Sequence, residues 1–391
     1  MGDYTLGELS DNGPLEMSDG YRTKRSELGQ PGFRILRVAD VGDWCVSTSG
    51  DDFVRKEFRR QIGSKLSAPG DVLLSTKGTI GRVALFPELA EQVVYSPQLC
   101  FFRVLDPEVI DARYLAYWLK SPEFLRQASY RSNSSDMAPY ISLRDLRSVS
   151  VNLPDVYTQR AIAGALGALD GKIAANERVS RDADELAGSL WTRSVVDGRS
   201  LPLSELAQFV NGRPFTKSAS GTGRVVVRIA ELNSGIGPST VRNDIEVADE
   251  YVVRPGDLLF AWSGSLTVAR WFRPEGIVNQ HIFKVIPKSG FPIWLLNQAI
   301  RSKLAEFKAI ASDKATTMGH IQRRHLDEPV KIPTTGSIET LDPAMGALWS
   351  AALAAEIENL KLARTRDELL PLLMSGRLRV KDAEAIASDV L

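Results

Sequence analysis

The chain has 391 residues, and its 48 Lys and Arg balance 48 Asp and Glu, so the formal net charge is zero. With 43% hydrophobic and 25% charged residues it has the balance of a globular protein, long enough for two or three domains whose cores need no covalent staples. A globally basic coat is excluded, though not basic faces offset by acidic ones. Two cysteines, Cys45 and Cys100, exclude a disulfide framework or a cysteine zinc cluster, and three histidines (His281, His320, His325) leave little for a metal site.

The opening Met1-Gly2-Asp3-Tyr4 has neither the basic start nor the apolar core of a signal peptide. The longest uncharged apolar-rich runs, Leu258–Ala269 and Ala344–Ala355, have 12 residues each and are too short to span a bilayer. The expected location is the cytoplasm, with no membrane partner.

Read in order, the chain states one plan twice. Leu6-Gly7-Glu8-Leu9 is answered by Leu203-Ser204-Glu205-Leu206, and Leu36-Arg37-Val38-Ala39-Asp40 by Val227-Arg228-Ile229-Ala230-Glu231. Pro69-Gly70-Asp71-Val72 is answered by Pro255-Gly256-Asp257-Leu258, and Gln98 by Gln280. Tyr140-Ile141, Leu153-Pro154 and Asp184-Glu185-Leu186 are answered by His320-Ile321, Ile332-Pro333 and Asp367-Glu368-Leu369. The order never breaks, which marks an internal repeat of about half the chain.

The repeat divides the chain into a mixed segment (residues 1–154), a long helix (155–199), a second mixed segment (200–339) and a second long helix with its tail (340–391). In the mixed segments, β-branched runs such as Val72–Ser75, Leu99–Val104 and Val225–Ile229 alternate with Gly/Pro turns and read as strands. Helical stretches follow at Asp111–Ser121 and Ile293–Ala311. The fold class is α+β.

The long helices carry apolar stripes. Ile162, Leu166, Leu169, Ile173, Asn176, Ala183, Leu186 and Leu190 lie on one stripe of the first. Met345, Leu348, Ala352, Ala355, Asn359, Leu362, Arg366, Leu369 and Leu373 alternate at spacings of three and four along the second, a heptad seam. Ile162, Leu169, Ile173, Leu348, Leu362 and Leu369 are the expected pairing residues. Asn176 and Asn359 hold the same place in the repeat, where a seam Asn sets register. Asp342-Pro343 reads as an N-cap with proline at the first helical position, Pro371 as a kink or early end, and Gly376 as a C-terminal stop. Two matching seams can pair with each other. An antiparallel pair of such helices, each roughly 50 Å long at 35 residues, would hold two similar globules apart about a pseudo-two-fold axis.

Standard catalytic words are absent. No phosphate-binding G-x-x-x-x-G-K-[ST] or G-x-G-x-x-G after a strand occurs, and Gly221-Thr222-Gly223 precedes a strand instead of a helix. No amino-methyltransferase word is present, Glu306-Phe307-Lys308 lacks the Pro-Asp of a nuclease motif, and His320 and His325 lack zinc spacing. No catalytic residue, metal site or cofactor of the chain's own is expected.

Basic and polar loops recur instead. The first mixed segment has Arg22, Lys24 and Arg25, then Arg55, Lys56, Arg59 and Arg60, then Lys77, then Arg131 and Asn133. The second has Arg213, Lys217, Arg242, Ser263 and Lys314. Lys and Arg neutralise phosphates, while Arg, Asn and Ser also reach base edges, so these residues are the candidate DNA contacts.

Three stretches carry a family resemblance. Leu153-Pro154-Asp155-Val156-Tyr157-Thr158-Gln159-Arg160-Ala161-Ile162-Ala163, with Leu166, Leu169-Asp170 and Lys172-Ile173, resembles the central conserved region of the specificity (S) subunits of type I DNA restriction–modification enzymes. Leu369-Leu370-Pro371-Leu372-Leu373-Met374-Ser375-Gly376-Arg377-Leu378-Arg379-Val380 resembles their C-terminal signature, and Pro69–Ser75 with Gly78-Thr79-Ile80-Gly81 their target-recognition domain. The second copy departs after Ile332-Pro333, where Thr334-Thr335-Gly336-Ser337 replaces the Gln-Arg-Ala-Ile run.

The resemblance implies a non-catalytic subunit with target-recognition domains at 1–154 and 200–339. Each would read one half of a bipartite, asymmetric site in double-stranded DNA. The helices would set the spacer and dock two methyltransferase (modification) subunits, to which restriction subunits can add. S-adenosylmethionine would bind only to those methyltransferases. Two other readings fit the residues: the specificity module of a methylation-only or other phage-defence system, and a non-DNA scaffold with two protein-binding heads.

Overall fold

The computed structural model describes residues 2–131, 140–313 and 319–391. The chain divides into two compact units: residues 1–171 with 362–391, and residues 172–361. Each is α+β, and each repeats the architecture of the other.

In the first unit, a four-stranded sheet has the order Leu15–Asp19, Leu99–Val104, Val72–Ser75, Val83–Leu85, with every neighbour antiparallel. A three-stranded sheet sets Gly32–Leu36 between an antiparallel Phe53–Arg55 and a parallel Val93–Tyr95. Gly2–Thr5 pairs with Ser150–Leu153 as a two-stranded ribbon. The second unit repeats this strand arrangement, with one strand more beside its parallel pair. Its four-stranded sheet runs Ala207–Asn211, Ile282–Pro287, Leu258–Ala261, Thr267–Arg270. Arg224–Val227 and Gly276–Val278 form the parallel pair, flanked by Arg242–Asn243 and Val252–Val253, and Arg199–Pro202 pairs with Pro329–Ile332.

The repeated words are the turns and caps that start these elements. Thr5 and Glu8 form a reciprocal capping box at the helix Leu6–Asp11. In Pro-Gly-Asp, Gly70 and Gly256 have φ of +82° and +98°, which a side chain would resist. The aspartate closes the turn: Asp71 accepts from the Ala68 N–H and Asp257 from the Arg254 N–H, both at 2.8 Å. The strand that follows is buried throughout in both units. One of the matched positions differs from the sequence expectation. Thr76 N–H donates to Gln98 O and Trp262 N–H to His281 O, so Gln98 is the counterpart of His281, one residue beyond Gln280.

Two long helices, Val156–Ser194 and Thr335–Met374, contribute to both units. In the second unit Asn176 donates to Glu358 (2.6 Å), Ser180 to Glu356 (3.1 Å), and Asn359 to the Ile173 carbonyl (3.3 Å), which fixes them as antiparallel. Both repeat-related asparagines therefore lie where the helices meet. In the first unit Ile162, Leu166, Leu169, Leu362, Leu369 and Leu373 are buried. Ile173, Leu348 and Asn359 are half-buried, and Leu348 packs against the core of the second unit with Met345. Leu186 leaves the stripe and is 51% exposed.

The second helix starts earlier than its Asp342-Pro343 suggests. Thr334 caps it, accepting from the Ser337 N–H (3.3 Å), and Pro343 sits in its interior. Asp342 accepts from the Trp294 indole instead (2.7 Å), so its capping oxygen is engaged by the packed head. The helix also continues through Pro371 and stops at Gly376, whose φ is +68°.

Each unit ties its globular part to the long helices through a polar clamp, from the helix Ala112–Trp118 in the first and the strand Thr267–Arg270 in the second. In the first, Tyr117 donates to Asp170, and Arg366 binds the other oxygen at 2.7 Å. Burial, with the Asp170 carboxylate beside it, pushes the Tyr117 phenol up, so it remains a donor. In the second, Arg270 is 7% exposed, pairs bidentately with Glu356 (2.8 and 2.9 Å), reaches Asp184 (3.3 Å) and lies 4.7 Å from the Trp349 ring. Burial opposes its charge, but Glu356 and Asp184 more than offset that and hold it protonated. Arg270→Ala strands these partly buried carboxylates. It should cost on the order of 3 kcal/mol, read as a lower urea midpoint; an unmoved midpoint would show that the clamp contributes nothing.

Candidate nucleic-acid interface

Of the expected contact residues, Lys77 in the first unit and Arg213 and Ser263 in the second follow strands at one end of the four-stranded sheet, and the other described ones lie away from it. In the first unit, Gly20 N–H donates to Leu99 O and Tyr21 N–H to Tyr95 O, which brings the chain after the edge strand across the parallel pair. Beside it, Lys77 bridges to Tyr140, its ammonium 5.9 Å from the ring centroid, while Ile141 N–H donates to Thr76 O. Lys77 and Gln98 are exposed.

From Tyr21 the chain runs through Arg22, Lys24 and Arg25, all exposed. Arg55 donates to the Ser26 carbonyl at 2.7 Å and lies over Phe58, so the two basic loops are neighbours. Arg59 is held by Gln92 (2.9 Å) and Phe33, and Lys56 and Arg60 are exposed. Arg59 and Arg60 line a depression of about 560 Å³ with Ser64, Ser67 and Arg103. Arg103 is committed to the buried Asp71, which also accepts from Tyr95. Arg131 is spent on Ser148 and the Gln127 carbonyl, and Asn133 lies outside the described residues.

The second unit has different groups on the same frame. Gly212 N–H donates to Ile282 O and Arg213 N–H to Val278 O, matching Gly20 and Tyr21. Ser263 takes the place of Lys77 and bridges to His320, but it is 5% exposed. The surface expected of Ser263 is presented by its neighbours. Trp262 is half-buried, between His281 at 5.2 Å and His320 at 6.3 Å, and its indole donates to Asn211 at 2.9 Å. His281, with φ +76°, His320 and Arg213 are exposed. Lys217 and Arg242 are exposed nearby in the chain, Arg242 donating to the Gly223 carbonyl. Lys314 lies outside the described residues.

Sequence reasoning missed Trp262, His281 and Tyr251. The repeat points to Trp262 and His281, which stand where the first copy has Thr76 and Gln98, and nothing in the sequence marks Tyr251. Among the described residues no group of three or more His, Cys, Asp or Glu could hold a metal ion, and no helix is long and apolar enough to cross a membrane.

The exposed ends of a duplicated α+β scaffold thus present different polar and aromatic groups in the two units. Residues 4–181 match the type I restriction modification DNA specificity domain. The MjaVIII specificity subunit of a type I restriction enzyme from Methanocaldococcus jannaschii is 23% identical over 163 residues. That alignment covers 41% of this chain and 38% of that relative's length. The S subunit of a type I restriction–modification system from M. genitalium superposes with a TM-score of 0.57 at 14% identity, over 95% of both chains. The HsdS subunit of Thermoanaerobacter tengcongensis aligns over 94% of this chain at 16% identity and a TM-score of 0.34. Residues 4–181 thus resemble the type I specificity domain, and the chain shares the fold of the M. genitalium S subunit. The resemblance read from the sequence is borne out.

The short helix Ile229–Ser234 supports the loop in the second unit: Asn233 donates to Ser265 (2.8 Å) and accepts from Thr267 (3.1 Å). Its start is fixed by Glu231, which binds Arg228 through backbone and guanidinium and accepts from Thr240. Burial would raise the Glu231 carboxyl, but these donors hold it below its ordinary value near 4.5. A depressed pKa gives stability that is present above that value and lost as pH falls through the folded one. Glu231→Gln should therefore cost roughly 1.5–3 kcal/mol at pH 7 and flatten the loss of stability below pH 4.5, measured by thermal unfolding across pH. An unaltered pH dependence would show that Glu231 is not the group responsible.

Proposed function

We propose that the chain is the non-catalytic DNA-recognition subunit of a type I restriction–modification complex. The observation that carries this reading is the duplication: one scaffold occurs twice, and the groups on its exposed sheet ends differ. Two such surfaces suit the two halves of an asymmetric, bipartite site in double-stranded DNA. The recognition domains are residues 1–154 and 200–339, and the segments 155–199 and 340–391 supply the helices. Basic loops around Lys24, Arg25, Lys56, Arg59 and Arg60 neutralise phosphates, and groups at the sheet ends meet bases. Zero net charge is compatible with this, because methyltransferase subunits docked on the helices would share the phosphate contacts. S-adenosylmethionine belongs to those subunits, and the chain itself takes no cofactor. A subunit that acts on genomic DNA would work in the cytoplasm. The specificity-domain match over residues 4–181 favours this over a scaffold that binds only proteins.

The first test is a map of modified bases in the source genome with the gene intact and deleted. A split adenine-methylated motif should vanish on deletion; an unchanged map from an expressed gene would move the scaffold reading ahead. The helices test the spacer. Inserting one heptad into each near the Asn176–Glu358 contact adds roughly 10 Å, about three base pairs at 3.4 Å each. The gap between the half-sites should grow by that amount, and an unchanged gap would sink the ruler.

A further inference from the structure

Arg213 stands apart from the other basic groups because its orientation is fixed while its fork stays open. Its Nε–H donates to the Tyr251 hydroxyl at 2.9 Å, and its guanidinium lies 4.8 Å from the Tyr251 ring centroid. Tyr251 is in turn packed edge-on against Phe215 at 5.8 Å, whose carbonyl accepts from the buried Asn243. Among the described residues nothing accepts from Nη1 or Nη2, and the side chain is exposed. We propose that Arg213 is a base-reading residue that donates both terminal nitrogens to O6 and N7 of a guanine in the half-site of the second unit, with Tyr251 as its positioning residue. This rests on the DNA-recognition reading above.

Two arguments favour a base over a phosphate. A guanidinium fork matches the guanine major-groove edge only when its plane is set, and the stacked, hydrogen-bonded brace sets it before binding. Second, the repeat supplies an internal comparison. The backbone path at Gly212-Arg213 is that of Gly20-Tyr21, yet the first unit has the uncharged Tyr21 there. Phosphates are the same in every half-site, so a contact to them would serve both units equally. A base contact has to differ between two halves of an asymmetric site.

The test uses the chain assembled with its own methyltransferase subunits in a host without adenine methylation, and reads the methylated motif genome-wide. The unaltered complex should show a fixed G·C pair in one half-site. With Arg213→Ala that pair alone should become degenerate, its guanine preference falling about tenfold or more, while the other half-site keeps its sequence. Tyr251→Phe, which keeps the ring but loses the Nε acceptor, should give a smaller fall at the same pair. Arg213→Lys controls for charge and should relax the pair as well. An unchanged motif methylated less at every site would overturn the proposal in favour of a phosphate contact. Degeneracy at an A·T pair would also overturn it. If the unaltered complex methylates no split motif, the DNA-recognition reading falls and takes this one with it.

Discussion

The close approach of two backbones at Gly20, and again at Gly212, governs the candidate surface. A Cβ at Gly20 would lie 2.2 Å from the carbonyl oxygens of Tyr95 and Ser96, and one at Gly212 2.2–2.3 Å from those of Asn279 and Val278. No side chain fits there, so the edge strand of the four-stranded sheet can lie against the end of the parallel pair only through glycine. That contact sets the direction in which the next residue, Tyr21 or Arg213, leaves the sheet. It also holds the turn carrying Gln98 or His281 against the loop of Lys77 or Trp262.

Because the constraint lies in the backbone, the chemistry above it is free to change. The strands beneath are buried in both units, and their burial, at roughly 25 cal/mol per Å² of apolar surface, depends on shape and not on what the loops display. At the sheet ends Lys77 and Gln98 are exposed, while Trp262 also packs on Phe283 of the core. The first unit can therefore present Lys77 against Tyr140 while the second presents Trp262 between two histidines, with no change in strand order or register.

The helices obey a mixed rule. In the first unit Leu166, Leu169 and Leu362 are fully buried, beside the Arg366–Asp170 ion pair. In the second unit polar bonds set the match of one helix to the other, through Asn176, Ser180, Glu356 and Glu358. An apolar stripe alone permits sliding by one heptad, whereas a buried amide with a single acceptor in reach does not. Arg270 extends that polar set into the sheet, so strand and helices share one network.

The sequence by itself determined the duplication, the α+β class, the helix pairing and the family resemblance. Turns, caps and seams are local: Pro-Gly-Asp, Thr5 with Glu8 and the spacing of Leu362, Leu369 and Leu373 each act through neighbours a few residues away. Only the tertiary structure decided which polar groups are available. Arg131 reads as a DNA contact, yet it is spent on Ser148 and the Gln127 carbonyl, and Ser263 is buried beneath its neighbours. Pro343 reads as a helix start, yet Thr334 had already begun the helix and Asp342 was claimed by Trp294. The brace on Arg213 joins residues 38 positions apart, and no local pattern marks it. Whether a polar side chain is bound, buried or open depends on what packs across from it, and only the folded chain brings that neighbour into place.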